Sequence, residues 1–251
     1  MIKLLLLFFI ISTLFIFLTT LIGSILILFI KKEFVSKKVD AFVSFSGGIM
    51  LSAALFSLLI KALYYNDNTN NNLPFVVLGI VCGALMIVLF DVFFLKEKDK
   101  KGAKKLFFAM TLHNIPEGLT VGLAFGLAYL SKEDTSYIVP LVLALGIGIQ
   151  NIPEGTSTSL VLYESNMSKK KSCIYGILSG SVEPISSLIG FLFALYLKDF
   201  MPFILSFGAG AMLIVVIEEV IINKTKENTI IKEIMFLLGF LIMMVLDVIL
   251  G

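Results

Sequence analysis

The sequence has no arginine, one histidine and two cysteines, and no polar stretch long enough to fold by itself. Each shortage removes a class of reading. Cys82 and Cys173 stand alone in apolar segments, so there is no disulfide framework and no thiolate cluster for Cu(I). They read as small buried hydrophobes. The single histidine, His113, leaves no HExxH-type pair, which makes an intramembrane metal-dependent hydrolase a distant alternative. All 20 basic residues are lysine, and the net charge is only +2; nothing points to nucleic acid.

What is present is apolar. Hydrophobic residues make up 58% of the 251 positions, and the mean hydropathy is +1.01. Eight apolar segments follow one another: 4–30, 40–65, 74–95, 106–130, 137–163, 172–197, 200–222 and 230–250. Each is long enough to cross a hydrocarbon core of ~30 Å at ~1.5 Å per residue. The expected fold is an all-α membrane protein of eight transmembrane helices, with residues 1–251 forming one domain. The first segment is too long for a signal-peptide core and lacks an A-x-A cleavage site.

The connecting loops alternate in charge. Loop 1–2 holds Lys31, Lys32, Lys37 and Lys38; loop 3–4 holds Lys96, Lys98, Lys100, Lys101, Lys104 and Lys105. Lys169–Lys171 lie in loop 5–6, and Lys224, Lys226 and Lys232 in loop 7–8 and its flank. Loops 2–3, 4–5 and 6–7 hold only Lys132 and Lys198. The positive-inside rule then places the lysine loops in the cytoplasm and both termini outside. Loop 3–4 reads as a solvated cytoplasmic loop.

Beyond Asp40 and Glu233 at segment starts, seven acidic residues interrupt the apolar segments: Asp91, Glu117, Glu154, Glu183, Glu218, Glu219 and Asp247. A charge at the bilayer centre costs ~2.5–3.5 kcal/mol on insertion scales, so such residues face a pathway, a proton relay, a cation or one another. Asp91 and Asp247 lie near segment ends and read as helix-end or inter-helix hydrogen-bonding residues. Glu117 and Glu154 belong to a repeated cassette, Asn114-Ile115-Pro116-Glu117-Gly118 and Asn151-Ile152-Pro153-Glu154-Gly155. His113 precedes the first copy and Gln150 the second.

On a helix His113 and Glu117 share a face at i, i+4, and Asn114 borders it. Gln150, Asn151 and Glu154 repeat that geometry. Glu183 has Ser179, Ser186 and Ser187 at i−4, i+3 and i+4. Pro116 and Pro153 are expected to bend their helices and free the carbonyls of Leu112 and Ile149. Gly118, Gly122 and Gly126 offer a small-residue packing face. One imidazole with several carboxylates and amides suits Zn²⁺, Fe²⁺ or Mn²⁺; calcium would not need the imidazole. A carboxylate-lined proton or cation channel is the other reading. Met50 by itself reads as a packing residue.

These motifs together resemble the ZIP (Zrt/Irt-like) family of divalent metal transporters, in particular its bacterial GufA-like branch. The match covers nearly the whole chain. His113–Gly118 is similar to the first family motif throughout, and Gln150–Gly155 to the second except at its first position. Ser179–Pro184 resembles the sixth-helix glutamate motif, Ile217–Val220 the seventh-helix acidic pair, and Ser46–Ser52 the second-helix segment that offers a methionine. The resemblance implies uptake of a divalent metal across the cytoplasmic membrane through a binuclear intramembrane site. One ion would be held by Met50, His113, Glu117, Gln150 and Glu154. The second would use Asn114, Glu117, Asn151, Glu154 and Glu183. Ser57 would lie on the outer approach, and Glu218 and Glu219 on the route to the cytoplasm. It also implies an elevator-like shift of helices 1, 4, 5 and 6 against 2, 3, 7 and 8, a homodimer, and no cofactor, the metal being cargo. Gln150 stands where many members have histidine, which implies weaker zinc binding, and Asn151 where some bacterial members have aspartate, which implies a weaker or vacant second site.

Overall fold

The computed structural model describes residues 2–30, 32–65, 69–94, 101–131, 137–164, 167–217 and 229–250. They form helices α1 (Ile2–Phe29), α2 (Lys32–Ser52), α3 (Lys61–Leu63), α4 (Thr69–Phe94), α5 (Lys101–Ser131), α6 (Ile138–Glu164), α7 (Lys169–Gly180), α8 (Val182–Leu192), α9 (Ala194–Leu197), α10 (Met201–Val216) and α11 (Thr229–Leu250). A π-helical stretch, Ala53–Ile60, joins α2 to α3.

Six helical stretches among the described residues are long and apolar enough to cross a membrane. Helices α5 and α11, of 31 and 22 residues, are not among the six. They are long enough at ~1.5 Å per residue, and they carry Asn114, Glu117, Lys232, Glu233 and Asp247. Length therefore supports all eight expected spans, and composition six.

One expectation about helix continuity changes. The sixth segment is broken at Ser181 and again at Phe193, giving α7, α8 and α9. Pro184 explains the first break: it has no N–H and crowds the carbonyl of Gly180. The chain tightens there, with Ser181 N donating to Leu178 O, and Glu183 falls in the first turn of α8. By contrast, α5 and α6 run on through Pro116 and Pro153.

The polarity of the molecule is inverted relative to a water-soluble protein. Leu7, Ile11, Leu14, Leu18 and Ile22 are exposed along α1, while Thr13, Thr20, Asn114, Glu117, Gln150 and Glu183 are buried. An apolar exterior around a polar interior is the arrangement a lipid solvent selects.

Small residues set the helix pairs. A Cβ on Gly122 of α5 would stand 1.8 Å from the carbonyl oxygen of Ser187 on α8, and one on Gly190 would stand 2.4 Å from that of Leu119. The expected Gly118, Gly122 and Gly126 face is this α5–α8 seam. Gly23 and Gly155 make an equivalent seam between α1 and α6, Gly48 and Gly239 between α2 and α11, and Gly83 and Gly210 between α4 and α10. Such backbone approach replaces the hydrophobic effect, which lipid does not supply between helices.

The pairs gather into two groups. Helices α1, α5, α6 and α7–α9 pack together, and α2–α3, α4, α10 and α11 pack together. Between the groups, α5 rests on α10 where Pro116 meets Gly208, and α6 lies against α2 and α11. Where both partners are described, each inter-helix side-chain hydrogen bond joins helices of one group.

The ends of the bundle are also distinguishable. Lys169 Nζ donates to the Ile30 carbonyl, bringing two lysine-rich connections to one end, where Lys232 also pairs with Asp40. At the other end Tyr65 lies near Asp199; burial first, and that carboxylate second, push its phenol above the ordinary value.

Candidate metal-transport site

The two cassettes meet inside the first group. Asn114 and Glu117 come from α5, Gln150, Asn151 and Glu154 from α6, and Glu183 from α8; none is more than 3% exposed. Gln150 joins the copies: its Nε2 donates to Glu117 Oε1 and, at 3.0 Å, to Glu154 Oε1. Two carboxylates from different helices thus share one amide at the centre of the chain's most polar interior. That is a costly arrangement in lipid unless a cation or proton is its purpose.

The amide orientations are constrained by their surroundings. Asn114 Nδ2 donates to the Ser179 carbonyl at 2.9 Å. Asn151 Nδ2 donates to the Ile16 carbonyl and to Glu183 Oε2, both at 3.0 Å. With their hydrogens taken, the oxygens Asn114 Oδ1, Gln150 Oε1 and Asn151 Oδ1 are buried without a hydrogen-bond partner. Each unmet buried acceptor costs ~1–3 kcal/mol. A cation relieves that cost, as does a hydrogen-bond donor such as water. Among the described residues no three His, Cys, Asp or Glu side chains form a metal-holding group. The donor set is mixed carboxylate and amide oxygen, which suits a dication that must also be released.

Helix α1 contributes groups that the sequence reading missed. Thr20 Oγ1 donates to Glu183 Oε1 at 3.0 Å, and Thr13 and Ser187 share a hydrogen bond of 3.0 Å. The only sequence signal was Thr13, Thr19, Thr20 and Ser24 recurring within a long apolar helix. Thr13, Thr20 and Ser24, spaced seven and four residues apart, share one helical face.

The remaining expected residues lie outside that hydrogen-bond network or outside the described residues. Met50 is buried in an apolar cluster with Ala53, Leu112 and Met212. Ser57 lies in the π-helical stretch and donates to Asp247 Oδ1 on α11, which bears out Asp247 as an inter-helix hydrogen-bonding residue. His113 is part of α5, one turn before Glu117. Its side chain and that of Asp91 lie outside the described residues, as do Glu218 and Glu219 altogether.

Two cavities approach the cassettes from opposite ends, both between the helix groups. One of about 750 Å³ reaches from Phe29 and Phe42, at the lysine-rich end, to Ile149 and Gln150. The other, of about 550 Å³, runs from Lys61 and Tyr65 to Thr120. Thr120 is three residues from Glu117 on α5, so the polar cluster lies between the inner limits of the two cavities.

Comparison with known proteins agrees with this geometry. The chain is 33% identical to the zinc transporter GufA of Myxococcus xanthus over 214 residues, covering 78% of this chain and 81% of that protein. It is 40% identical to the human zinc transporter ZIP11 over 147 residues, 58% of this chain but only 43% of the human protein. With the zinc transporter ZupT of Streptococcus mutans identity is 29% over 230 residues, covering 81% and 82% of the two chains. These relatives are named as transporters, not as enzymes. The family model described as ZIP Zinc transporter matches residues 102–247. That span runs from the first cassette to the last helix and takes in every buried carboxylate of the cluster, so the chain belongs to the ZIP family.

Proposed function

We propose that this chain carries a divalent transition metal, Zn²⁺ first among the candidates, inward across the cytoplasmic membrane as a single transmembrane domain. Fe²⁺, Mn²⁺ and Cd²⁺ are the competing cargoes. The metal is substrate, not cofactor. The observation that carries this reading is the Gln150 amide held between the Glu117 and Glu154 carboxylates, with three buried amide oxygens unmet around them.

A dication entering between Glu117 and Glu154 displaces the Gln150 N–H, and the amide turns to present Oε1. Asn114 Oδ1 is already freed for the ion by the bond from Nδ2 to Ser179. His113, one turn before Glu117, and Met50 on α2 complete the ligand set. Met50 belongs to the other helix group, so relative movement of the groups changes the ligand set and loosens the ion. Alternating access then consists of α1, α5, α6 and α7–α9 moving against α2–α3, α4, α10 and α11. The interface favours such movement, because the described hydrogen bonds lie within each group and cavities flank the site at both ends.

The lysine-rich end faces the cytoplasm, so eight spans leave both termini outside. The Ser57–Asp247 pair lies on the outer approach and Glu218 and Glu219 on the inner one, and two copies assemble as a homodimer. The test is uptake of Zn²⁺, Fe²⁺, Mn²⁺ and Cd²⁺ into liposomes holding the purified chain, beside Glu154→Ala. Saturable flux that the variant loses is expected. Flux that rises without saturation would instead favour a carboxylate-lined channel.

A further inference from the structure

We infer that this chain carries one dication at a time, because Asn151 turns hydrogens rather than oxygen toward Glu183. The inference rests on the metal-carrier reading and deepens it to a stoichiometry.

Orientation is the first argument. Asn151 Nδ2 lies 3.0 Å from the Ile16 carbonyl oxygen and 3.0 Å from Glu183 Oε2. A carbonyl and a carboxylate can only accept. Turning the amide over would set Oδ1 against two acceptors and take the hydrogen from Glu183 Oε2 in a fully buried place, although the Ile16 carbonyl would still accept from Thr19 Oγ1 at 2.7 Å. The network therefore decides which atom is nitrogen. The other Glu183 oxygen, Oε1, accepts from Thr20. Both carboxylate oxygens are engaged by donors from α1 and α6, and an ion between Asn151 and Glu183 would meet an N–H.

Charge is the second argument. Glu117 and Glu154 together match one dication and make a neutral package, which a poorly solvated interior tolerates best. Two dications would bring four positive charges against the three carboxylates Glu117, Glu154 and Glu183. The neutral Asn151 amide supplies no compensating charge. Glu183 is then a positioning residue. Through Thr20 and Asn151 it fastens α1, α6 and α8 together around the single ion.

The experiment is a count of zinc bound to the purified full-length chain. The protein is dialysed to equilibrium against saturating Zn²⁺ and its zinc measured by elemental analysis. Zinc retained by a Glu117→Gln, Glu154→Gln double variant is subtracted. One site zinc per chain is expected for the wild type and two for Asn151→Asp, which replaces the N–H with carboxylate oxygen and adds the fourth negative charge. Two in the wild type would overturn the inference while leaving the carrier reading intact. One in an Asn151→Asp protein as monodisperse as wild type would overturn it as well. If that variant does not fold, the wild-type count decides alone. No site zinc in the wild type would overturn the carrier reading, and the one-ion inference with it.

Discussion

The two helix groups share their seams and differ in their interiors. Each is closed by paired glycines that bring backbones into contact: Gly23 with Gly155 and Gly122 with Gly190 in one, Gly48 with Gly239 and Gly83 with Gly210 in the other. Yet the first group buries Glu117, Glu154, Glu183, Asn114, Gln150, Asn151 and a series of hydroxyls, whereas the second buries mainly Leu, Ile, Met and Ala, with a few serines, Asn72 and Lys232. Glycine seams thus suffice to hold membrane helices together. Buried carboxylates clustered with amides are an additional expense in lipid, and among the described residues that cluster lies in the first group.

The comparison breaks most visibly at the carboxylates. Glu117→Ala and Glu154→Ala are each expected to abolish zinc flux in liposomes, with insertion and size-exclusion behaviour unchanged. Near-normal flux in either would remove the site from the first group. No substitution of a buried leucine in the second group should match that effect at equal protein level.

The seams should respond alike. Gly122→Val on the α5–α8 contact and Gly83→Val on the α4–α10 contact each force a Cβ into a backbone carbonyl, at 1.8 Å and 2.0 Å. Each should destabilise the folded protein by at least the ~1–3 kcal/mol of core overpacking, seen as a lower midpoint of thermal unfolding in detergent. A loss at one seam only would show that one group is held by something other than backbone approach.

A third prediction concerns Gln150. Gln150→Leu keeps the volume and removes the amide between Glu117 and Glu154. Zinc affinity should fall about 10–100-fold, the usual scale for lost support around a metal. The affinity of the wild type should also weaken from about pH 7.5 to about pH 5.5, because protons compete with the metal for the same oxygens. Titration calorimetry at the two pH values would show it; equal affinities would mean that the carboxylates do not ligate.

The smallest effect belongs to the second group's own polar contact. Ser57→Ala removes the hydroxyl that donates to Asp247. About 0.6–1.7 kcal/mol is expected, the range for hydrogen bonds between membrane helices, again read from thermal unfolding. Thr20→Val, its counterpart on Glu183, should cost no less, because Glu183 is completely buried. A reversed order would show that Glu183 does not fasten the first group.

Much of this was legible in the chain itself. Apolar runs, lysine-rich loops, a duplicated Asn-Ile-Pro-Glu-Gly cassette and glycines at spacing four are local patterns. They announce membrane helices, a buried polar centre and a close-packed face, because lipid punishes a stray charge or an unpaired backbone group wherever it occurs. Tertiary structure alone decided the rest. It brought Thr20 of α1 to Glu183 and the Ile16 carbonyl to Asn151, placed the π-helical stretch beyond Met50, and turned the Asn151 amide hydrogen-first. Sequence names the donor and acceptor atoms a side chain owns. Which way the buried Asn151 amide faces depends on neighbours 32 and 135 residues away, and only the packed helices supply those.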